Sequence, residues 1–283
     1  MFILELFAFI LDLIIGGSPL AAAEPAPPAP QIERRTTADG VEYGIWSLPN
    51  TRRPAPTLFV LASTIDNTLG EAYYRQAGND LAKHGFISVT IDLPCHGTQR
   101  RPDEPDGLAG WSHRAAAGED FIATNNQRLK SVLDDLIVQG ISDSSRIAAC
   151  GTSRGGFSAL HFAASDPRVK AVAAFCPVAD LASLTEFKGR EDLPIVKQLA
   201  LVEHADKLAG RPVWFIIGDR DARVDTDKTI QLARRITASS LSQNLPTQVD
   251  LHVVAEPKGH TTPPGSAELA ARWFLQHFPD QSP

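Results

Sequence analysis

The chain has 283 residues and a net charge of −6 at neutral pH, with 43% of its residues hydrophobic and 21% charged. These proportions are ordinary for a folded globular protein, and the acidic balance argues against nucleic acid or an anionic membrane surface as the main partner. We expect one large α/β domain, because no linker-like stretch interrupts residues 40–278.

Residues 1–15 form an apolar stretch, and a Gly-Gly-Ser-Pro turn and three alanines ending at Ala23 follow it. The pattern resembles a secretory signal peptide over 1–23. It predicts an exported protein, periplasmic or secreted, with no stable membrane association once the leader is cleaved. The stretch lacks a positive start and contains two acidic residues, so a cytoplasmic location and an uncleaved N-terminal anchor are the alternatives. Residues 24–39 are rich in proline and alanine and predict a linker ahead of a folded domain over 40–283.

Short apolar runs alternate with amphipathic segments along the folded part of the chain. The runs predict buried strands and the amphipathic segments predict helices, which is typical of an α/β fold with a mostly parallel sheet and helices on both faces. The predicted strands cover 42–48 at a sheet edge, then 57–62, 86–93, 147–150, 169–175, 213–217 and 249–254. The predicted helices cover 72–84, 119–139, 157–164, 193–208, 226–241 and 267–278, with inserts predicted near 94–118 and 179–210.

The strand predicted over 147–150 runs into Gly-Thr-Ser-Arg-Gly-Gly, centred on Ser153, and then into a helix. A sharp turn from strand to helix holds its central residue in a strained backbone, and glycines two places to either side leave room for it. Ser153 would then present its hydroxyl beside the N-terminus of the helix. The context predicts a nucleophilic serine, and the alternative is a glycine-rich turn that carries an ordinary serine.

A nucleophilic serine needs a base, and the base needs an acid to orient it. The next-to-last predicted strand is followed by Asp219, Asp221 and Asp225, and the last one by a loop that contains His260. Because open parallel sheets build their sites at the carboxyl ends of the strands, these loops belong at the edge where Ser153 is expected. Asp221 has the loop length to turn back toward His260, whereas Asp225 suits the N-cap of the following helix.

Taken together, these motifs resemble those of the α/β-hydrolase superfamily, and within it the chain is similar to the dienelactone-hydrolase and prolyl-oligopeptidase-like serine esterases. The similarity covers residues 57–278. It is carried by the motif around Ser153, by Gly218-x-x-Asp221-x-x-Val224 and by Gly259-His260. It implies the α/β-hydrolase fold, with Ser153 as nucleophile, Asp221 as acid and His260 as base, and it calls for neither a metal nor a cofactor.

The resemblance also implies an oxyanion hole built from backbone N–H groups. One donor is the N–H of Arg154, the residue after the nucleophile. Many relatives carry His-Gly after the first buried strand, but this chain has Ala-Ser-Thr-Ile there. The second donor is therefore expected from the backbone of Ser63 or Thr64.

Three further sets of residues have two interpretations each. Trp111 and His113, in the 94–118 insert, are candidates for lining the substrate pocket, and packing of the insert is the alternative. The side chain of Arg154 is expected to form a structural salt bridge, and binding of a substrate carboxylate is the alternative. No Cys/His spacing indicates zinc, so the cysteines are expected to be small buried residues, with a Cys150–Cys176 bridge as the alternative. They are Cys95, Cys150 and Cys176.

The sequence therefore predicts a serine hydrolase that cleaves carboxylic esters, small or polymeric, through an acyl-enzyme. A small-peptide serine peptidase of the prolyl-oligopeptidase type is one alternative. A non-catalytic binding protein with a hydrolase fold is the other, although such proteins usually lose a triad residue and this chain carries all three candidates.

Overall fold

A computed structural model of the chain describes residues 31–256 and 258–278. The described residues contain one eight-stranded sheet. Its strands are β1 (Glu33–Thr36), β2 (Glu42–Trp46), β3 (Ala55–Leu61), β4 (Ile87–Thr90), β5 (Ser142–Thr152), β6 (Val169–Phe175), β7 (Val213–Gly218) and β8 (Val249–Val254). Across the sheet they lie in the order β1-β2-β4-β3-β5-β6-β7-β8. The β1/β2 and β2/β4 pairs are antiparallel and all the others are parallel, so the predicted α/β class and mostly parallel sheet are confirmed.

Helices cover both faces of the sheet. They are α1 (Ile65–Gly70), α2 (Ala72–Arg75), α3 (Gly78–Leu81), α4 (Gly107–Ala116), α5 (Phe121–Val138), α6 (Arg154–Ser165), α7 (Pro194–Leu199), α8 (Thr226–Ser242) and α9 (Ser266–His277). Short 3-10 turns cover Ala82–His84, Gly97–Gln99, Leu181–Ser183, Thr185–Phe187 and Leu201–Leu208. The apolar sides of α3 and α9 pack on one face, and those of α4, α5, α6 and α8 pack on the other.

The central strands are buried on both faces because helices cover both sides of the sheet. Since side chains alternate along a strand, each central strand contributes apolar residues to both faces. On β3, Leu58 and Val60 join the cluster that contains α3 and α9, whereas Phe59 and Leu61 join the cluster on the opposite face. This is why the sequence shows a continuous apolar run here instead of an alternation of apolar and polar residues. The sheet so formed fixes the carboxyl ends of β5, β7 and β8 along one edge.

The first strand corrects the predicted linker and the predicted sheet edge. β1 lies inside the stretch 24–39, and it pairs with β2 from Glu33↔Ile45 to Thr36↔Glu42. β2 is therefore flanked on both sides and β1 forms the edge. Its sequence, Glu-Arg-Arg-Thr, is charged, as suits an edge strand exposed to water, and it lies in a stretch whose proline and alanine content predicts a linker.

Three predicted segments differ in their local structure. The helix predicted over 193–208 is divided into α7 and the 3-10 turn Leu201–Leu208. The helix predicted over 72–84 is broken, because Gln76 adopts a left-handed φ of 47° between α2 and α3. The insert 94–118, which lacked clear periodicity, contains α4. In that helix Leu108, Trp111 and Ala115 follow helical spacing, and Gly107 and Gly110 interrupt the apolar pattern.

The predicted leader over 1–23 and the first part of the predicted linker lie outside the described residues, so cleavage and export stay predictions. Of the helices in the described ranges, none is both long enough and apolar enough to cross a membrane.

Candidate active site

Ser153 occupies the turn between β5 and α6 with φ 55° and ψ −116°, a conformation that residues other than glycine rarely adopt. The flanking glycines are required by contact. A methyl group on Gly155 would overlap the carbonyl oxygen of Leu61, and one on Gly151 would overlap the carbonyl oxygen of Gly155. The motif thus lets α6 pack against the ends of β3 and β5 while Ser153 faces outward.

His260 lies between Ser153 and Asp221. Its Nε2 is 3.0 Å from the Ser153 Oγ, and its Nδ1 is 2.8 Å from the Asp221 Oδ2. A carboxylate only accepts, so Nδ1 carries the hydrogen and donates it to Asp221, which leaves Nε2 to accept from the serine hydroxyl. The arrangement has the geometry of a nucleophile, a base and an orienting acid.

The Asp221 carboxylate is almost completely buried, at 1% exposure, and further donors hold it in place. Its Oδ1 accepts from the backbone N–H of Arg223 at 3.1 Å and of Val224 at 3.4 Å. Both donors belong to the loop after β7, so the backbone of the Gly-x-x-Asp-x-x-Val motif donates hydrogen bonds to the aspartate of the same motif. The second oxygen is left to face His260.

Of the three acids after β7, Asp221 is the one in contact with His260. Asp219 accepts from the backbone N–H of Glu256 at 3.2 Å and lies 3.2 Å from the Arg220 Nε. Asp225 caps α8 by accepting from the N–H of Asp227 at 3.0 Å. The neighbouring acids therefore have structural partners of their own.

The structure places the predicted oxyanion donors in different environments. Arg154 is the first residue of α6, where a backbone N–H has no partner inside the helix. The N–H of Ser63 donates to the Thr68 Oγ1 at 3.2 Å, so the assignment of Ser63 is wrong. Thr64 is the N-cap of α1, where its side chain accepts from the N–H of Asn67 at 3.2 Å, and its backbone N–H as the second donor stays a prediction. The chain turns into α1 directly after β3, which leaves Ala62 as the residue of this segment that lines the cavity.

Trp111 and His113 do not line the cavity, which corrects their predicted role. The Trp111 ring is fully buried, its Nε1 donates to the Pro94 carbonyl at 2.7 Å, and it packs against Phe121 and Phe157. His113 is exposed on the outer side of α4. Packing of the insert, the alternative interpretation, accounts for Trp111. The residue of this insert that reaches the cavity is Leu108.

The cavity over Ser153 has a volume of about 290 Å³. The sequence did not single out several residues of its wall, which come from α2 and from the loops after β7 and β8: Tyr73, Tyr74, Arg223, Thr261 and Thr262. The Tyr73 hydroxyl lies 3.2 Å from the Thr262 Oγ1, which links the segment after β3 to the His260 loop. The signal that could have found these residues is their position after the carboxyl ends of β3, β7 and β8.

Cys176 directly follows β6 and also lines the cavity, with a left-handed φ of 43°. Burial raises the pKa of its thiol to about 12, so the group stays protonated and its Sγ–H donates to the Thr261 carbonyl at 3.1 Å. This contact ties the His260 loop to the end of β6. Behind the nucleophile, the Gln76 Nε2 donates to the Thr152 Oγ1 at 3.1 Å.

The three cysteines are buried and unbridged, in line with the interpretation of them as small core residues. Across residues 31–256 and 258–278, no group of three or more His, Cys, Asp or Glu side chains is arranged to hold a metal ion.

Comparison with known proteins shows which proteins the chain resembles in sequence and in fold. A family model described as PETase, PET hydrolase-like, matches residues 69–189, a range that contains Ser153 but neither Asp221 nor His260. With the sheet and helices described above, the chain has the α/β-hydrolase fold, and it resembles the esterases and prolyl-oligopeptidase-like peptidases that share this fold.

Among characterised sequences, the chain is 30% identical over 149 residues to the acylamino-acid-releasing enzyme of Arabidopsis thaliana, a match that covers 42% of this chain and 19% of that protein. It is 32% identical over 135 residues to the hydrolyase poxO of Penicillium oxalicum, which covers 47% of this chain and 30% of that one. The chain thus spans less than a third of the length of either relative.

Solved structures share the fold at low sequence identity. TT1662 from Thermus thermophilus aligns with a TM-score of 0.66 and 19% identity, covering 88% of this chain and 98% of the other. A cold-adapted esterase from an Arctic intertidal metagenomic library aligns with a TM-score of 0.62 and 19% identity, covering 87% and 92%. A puromycin hydrolase gives a TM-score of 0.62 at 17% identity, covering 90% of this chain and 41% of that one.

Proposed function

We propose that the chain is a serine hydrolase that cleaves carboxylic esters through an acyl-enzyme, with Ser153 as nucleophile, His260 as base and Asp221 as the acid that orients it. The observation that carries this proposal is the unbroken path of hydrogen bonds from the Ser153 Oγ through His260 to the buried Asp221. An exposed strand-to-helix turn beside a cavity is where an acyl carbon can reach such a serine.

In the first half of the reaction, His260 Nε2 takes the proton of the Ser153 hydroxyl while the oxygen attacks the acyl carbon. The carbonyl oxygen becomes an oxyanion, which the backbone N–H of Arg154 stabilises. His260 then gives its proton to the alkoxide as the ester C–O bond breaks. Asp221 stabilises the imidazolium that exists between these two proton transfers.

In the second half, His260 removes a proton from water, and the resulting hydroxide attacks the acyl-enzyme. The serine C–O bond breaks, Ser153 recovers its proton from His260, and the carboxylic acid leaves. This chain's own side chains and backbone supply every group that the cycle uses.

A panel of substrates tests the proposal against its two alternatives. We expect the protein to hydrolyse p-nitrophenyl esters of short acids and to lose that activity after treatment with a serine-directed phosphonate. Faster turnover of aminoacyl p-nitroanilides than of the esters would favour a peptidase. Failure of the phosphonate to label the protein, together with no turnover of either substrate class, would favour a non-catalytic binding protein.

A further inference from the structure

The side chain of Arg154 lines the cavity beside Ser153 and has no acidic partner in the described part of the chain. Its Nε donates to the Ala62 carbonyl at 3.0 Å, and no carboxylate oxygen lies within 4.0 Å of its guanidinium nitrogens. The structural salt bridge expected from the sequence is therefore absent among the described residues. Among the described residues, the two terminal nitrogens of the guanidinium have no hydrogen-bond partner.

Arg223, the other arginine that lines the cavity, has a different environment. Its Nη2 lies 2.6 Å from a carboxylate oxygen of Glu186, and its Nη1 donates to the Thr185 hydroxyl at 3.0 Å. The charge of Arg223 is thus neutralised within the protein. Among the described residues, no carboxylate forms a salt bridge that would neutralise the charge of Arg154 in the same way.

The lining of this cavity is positive in a protein that is acidic overall. The chain carries 33 acidic and 27 basic residues, yet among the described residues the cavity lining contains two arginines and no aspartate or glutamate. The Arg154 side chain is partly buried, and this removal from water lowers the pKa of Arg154 from its usual range. An arginine remains protonated under such conditions, so its desolvated charge is stabilised when an anion binds.

We infer that Arg154 binds a carboxylate of the substrate, so that the preferred esters of this hydrolase carry an anionic group near the scissile bond. The inference rests on the proposed function and names its substrate class. Because Arg154 directly follows the nucleophile, one residue contributes its backbone N–H toward the oxyanion and its side chain toward the anionic group. A planar guanidinium suits a carboxylate well, since it presents parallel N–H donors to both oxygens.

Matched esters test the inference. For the acyl side, the pair is mono-p-nitrophenyl glutarate and its neutral methyl ester. For the alcohol side, it is carboxyphenyl butyrate and its neutral carbamoyl analogue. For at least one pair, we expect Arg154→Gln to lower the anionic-to-neutral ratio of kcat/KM by about 10- to 100-fold, the scale of hydrogen bonds to charged groups. The two esters of a pair differ in intrinsic reactivity, but this difference is the same for wild type and variant. It therefore cancels when the ratio of the variant is compared with that of the wild type.

The matched control is the double variant Arg223→Gln/Glu186→Gln, which removes the charge of Arg223 together with the carboxylate that neutralises it. We expect this control to change the ratio much less than Arg154→Gln does, and Arg154→Lys to retain part of the preference. If Arg154 served only to hold the Ala62 carbonyl, Arg154→Gln would slow both esters equally. An unchanged ratio in both pairs, or an equal change in the double-variant control, would overturn the inference.

A second readout applies even if Arg154→Gln does not fold. In the wild type, with a neutral ester as reporter, glutarate should inhibit competitively at a concentration at least about tenfold below that of its diamide. Equal inhibition by the two would overturn the inference. Wild type that hydrolyses none of the four esters contradicts the proposed function instead. In that case, preferential calorimetric binding of glutarate over its diamide would support the role of Arg154, and its absence would overturn it.

Discussion

The Nδ1 of His260 lies 2.8 Å from the Oδ2 of Asp221, and the other oxygen of that carboxylate accepts two backbone N–H groups of its own loop. The acid is therefore fixed before it meets the histidine. This relationship sets the tautomer of His260, because the hydrogen on Nδ1 leaves Nε2 free to accept from Ser153.

Asp221→Asn should preserve the fold and lower kcat on the order of ten-thousand-fold, by analogy with serine proteases whose triad acid is replaced by an amide. The amide can donate to the ring nitrogen and favour the wrong tautomer. Steady-state kinetics on a neutral p-nitrophenyl ester give the result, with circular dichroism to verify folding.

Asp225→Ala is the control for this loop. It removes the N-cap of α8 and should cost about 1 kcal/mol of unfolding free energy with little loss of rate. If Asp225→Ala or Asp219→Asn lost most of its kcat while Asp221→Asn kept a kcat near that of the wild type, the assignment of the acid would be refuted.

Trp111→Phe should destabilise the fold by about 1 to 3 kcal/mol and leave kcat/KM within about twofold of the wild-type value. The substitution removes the Nε1 donor to the Pro94 carbonyl and part of a fully buried ring, but it touches no wall of the cavity. Urea unfolding and ester kinetics measure the two effects. His113→Ala, at an exposed position of α4, serves as the control and should change neither. A large rise in KM for Trp111→Phe would return Trp111 to the substrate pocket.

His161 predicts how stability depends on pH. Its ring is buried on α6 beside His204, and its Nε2–H donates to the Leu199 carbonyl at 3.0 Å. Burial first, and then the neighbouring His204, lowers the pKa of His161 from 6.5 to about 3. Between these two values the unfolded chain binds a proton that the folded chain does not. The contribution of the neutral His161 to the free energy of unfolding is therefore fully present above pH 6.5 and is lost progressively as the pH drops toward 3.

At about pH 5, the loss from this one group should be about 2 kcal/mol relative to neutral pH. His161→Gln, which retains an N–H donor and does not titrate, should shrink the difference between unfolding free energies at the two pH values by that amount. Urea titrations of both proteins measure it, with His84→Gln, at an exposed position, as the control. An undiminished pH difference in His161→Gln would show that His161 is not the group responsible.

The parts of the site that the sequence predicted are those encoded by short local patterns. The turn at Ser153 needs small residues at fixed offsets, because α6 packs directly against the ends of two strands. Asp221 is likewise held by N–H groups two and three residues further along its own loop. Such contacts between near neighbours leave a spacing in the sequence that can be recognised without the fold.

The parts that the sequence missed depend on partners distant in the chain or on side-chain direction. Nothing near Trp111 shows that its indole points inward to Pro94, 17 residues away. The strand β1 is stabilised by pairing with β2, although it lies in a stretch whose proline and alanine content predicts a linker. The lack of an acidic partner for Arg154 among the described residues is a property of the whole cavity, since it can be established only when all the neighbouring loops are in place.

The measurement that tests the account most directly is the reaction of wild type and Ser153→Ala with a fluorophosphonate and with a neutral p-nitrophenyl ester. Wild type should gain the mass of one phosphonate adduct. Ser153→Ala should gain none and should turn over the ester about a million-fold more slowly, the scale seen when a serine hydrolase loses its nucleophile. Labelling of folded Ser153→Ala, or substantial ester turnover by it in a pure sample, would contradict the central claim that Ser153 carries the chemistry.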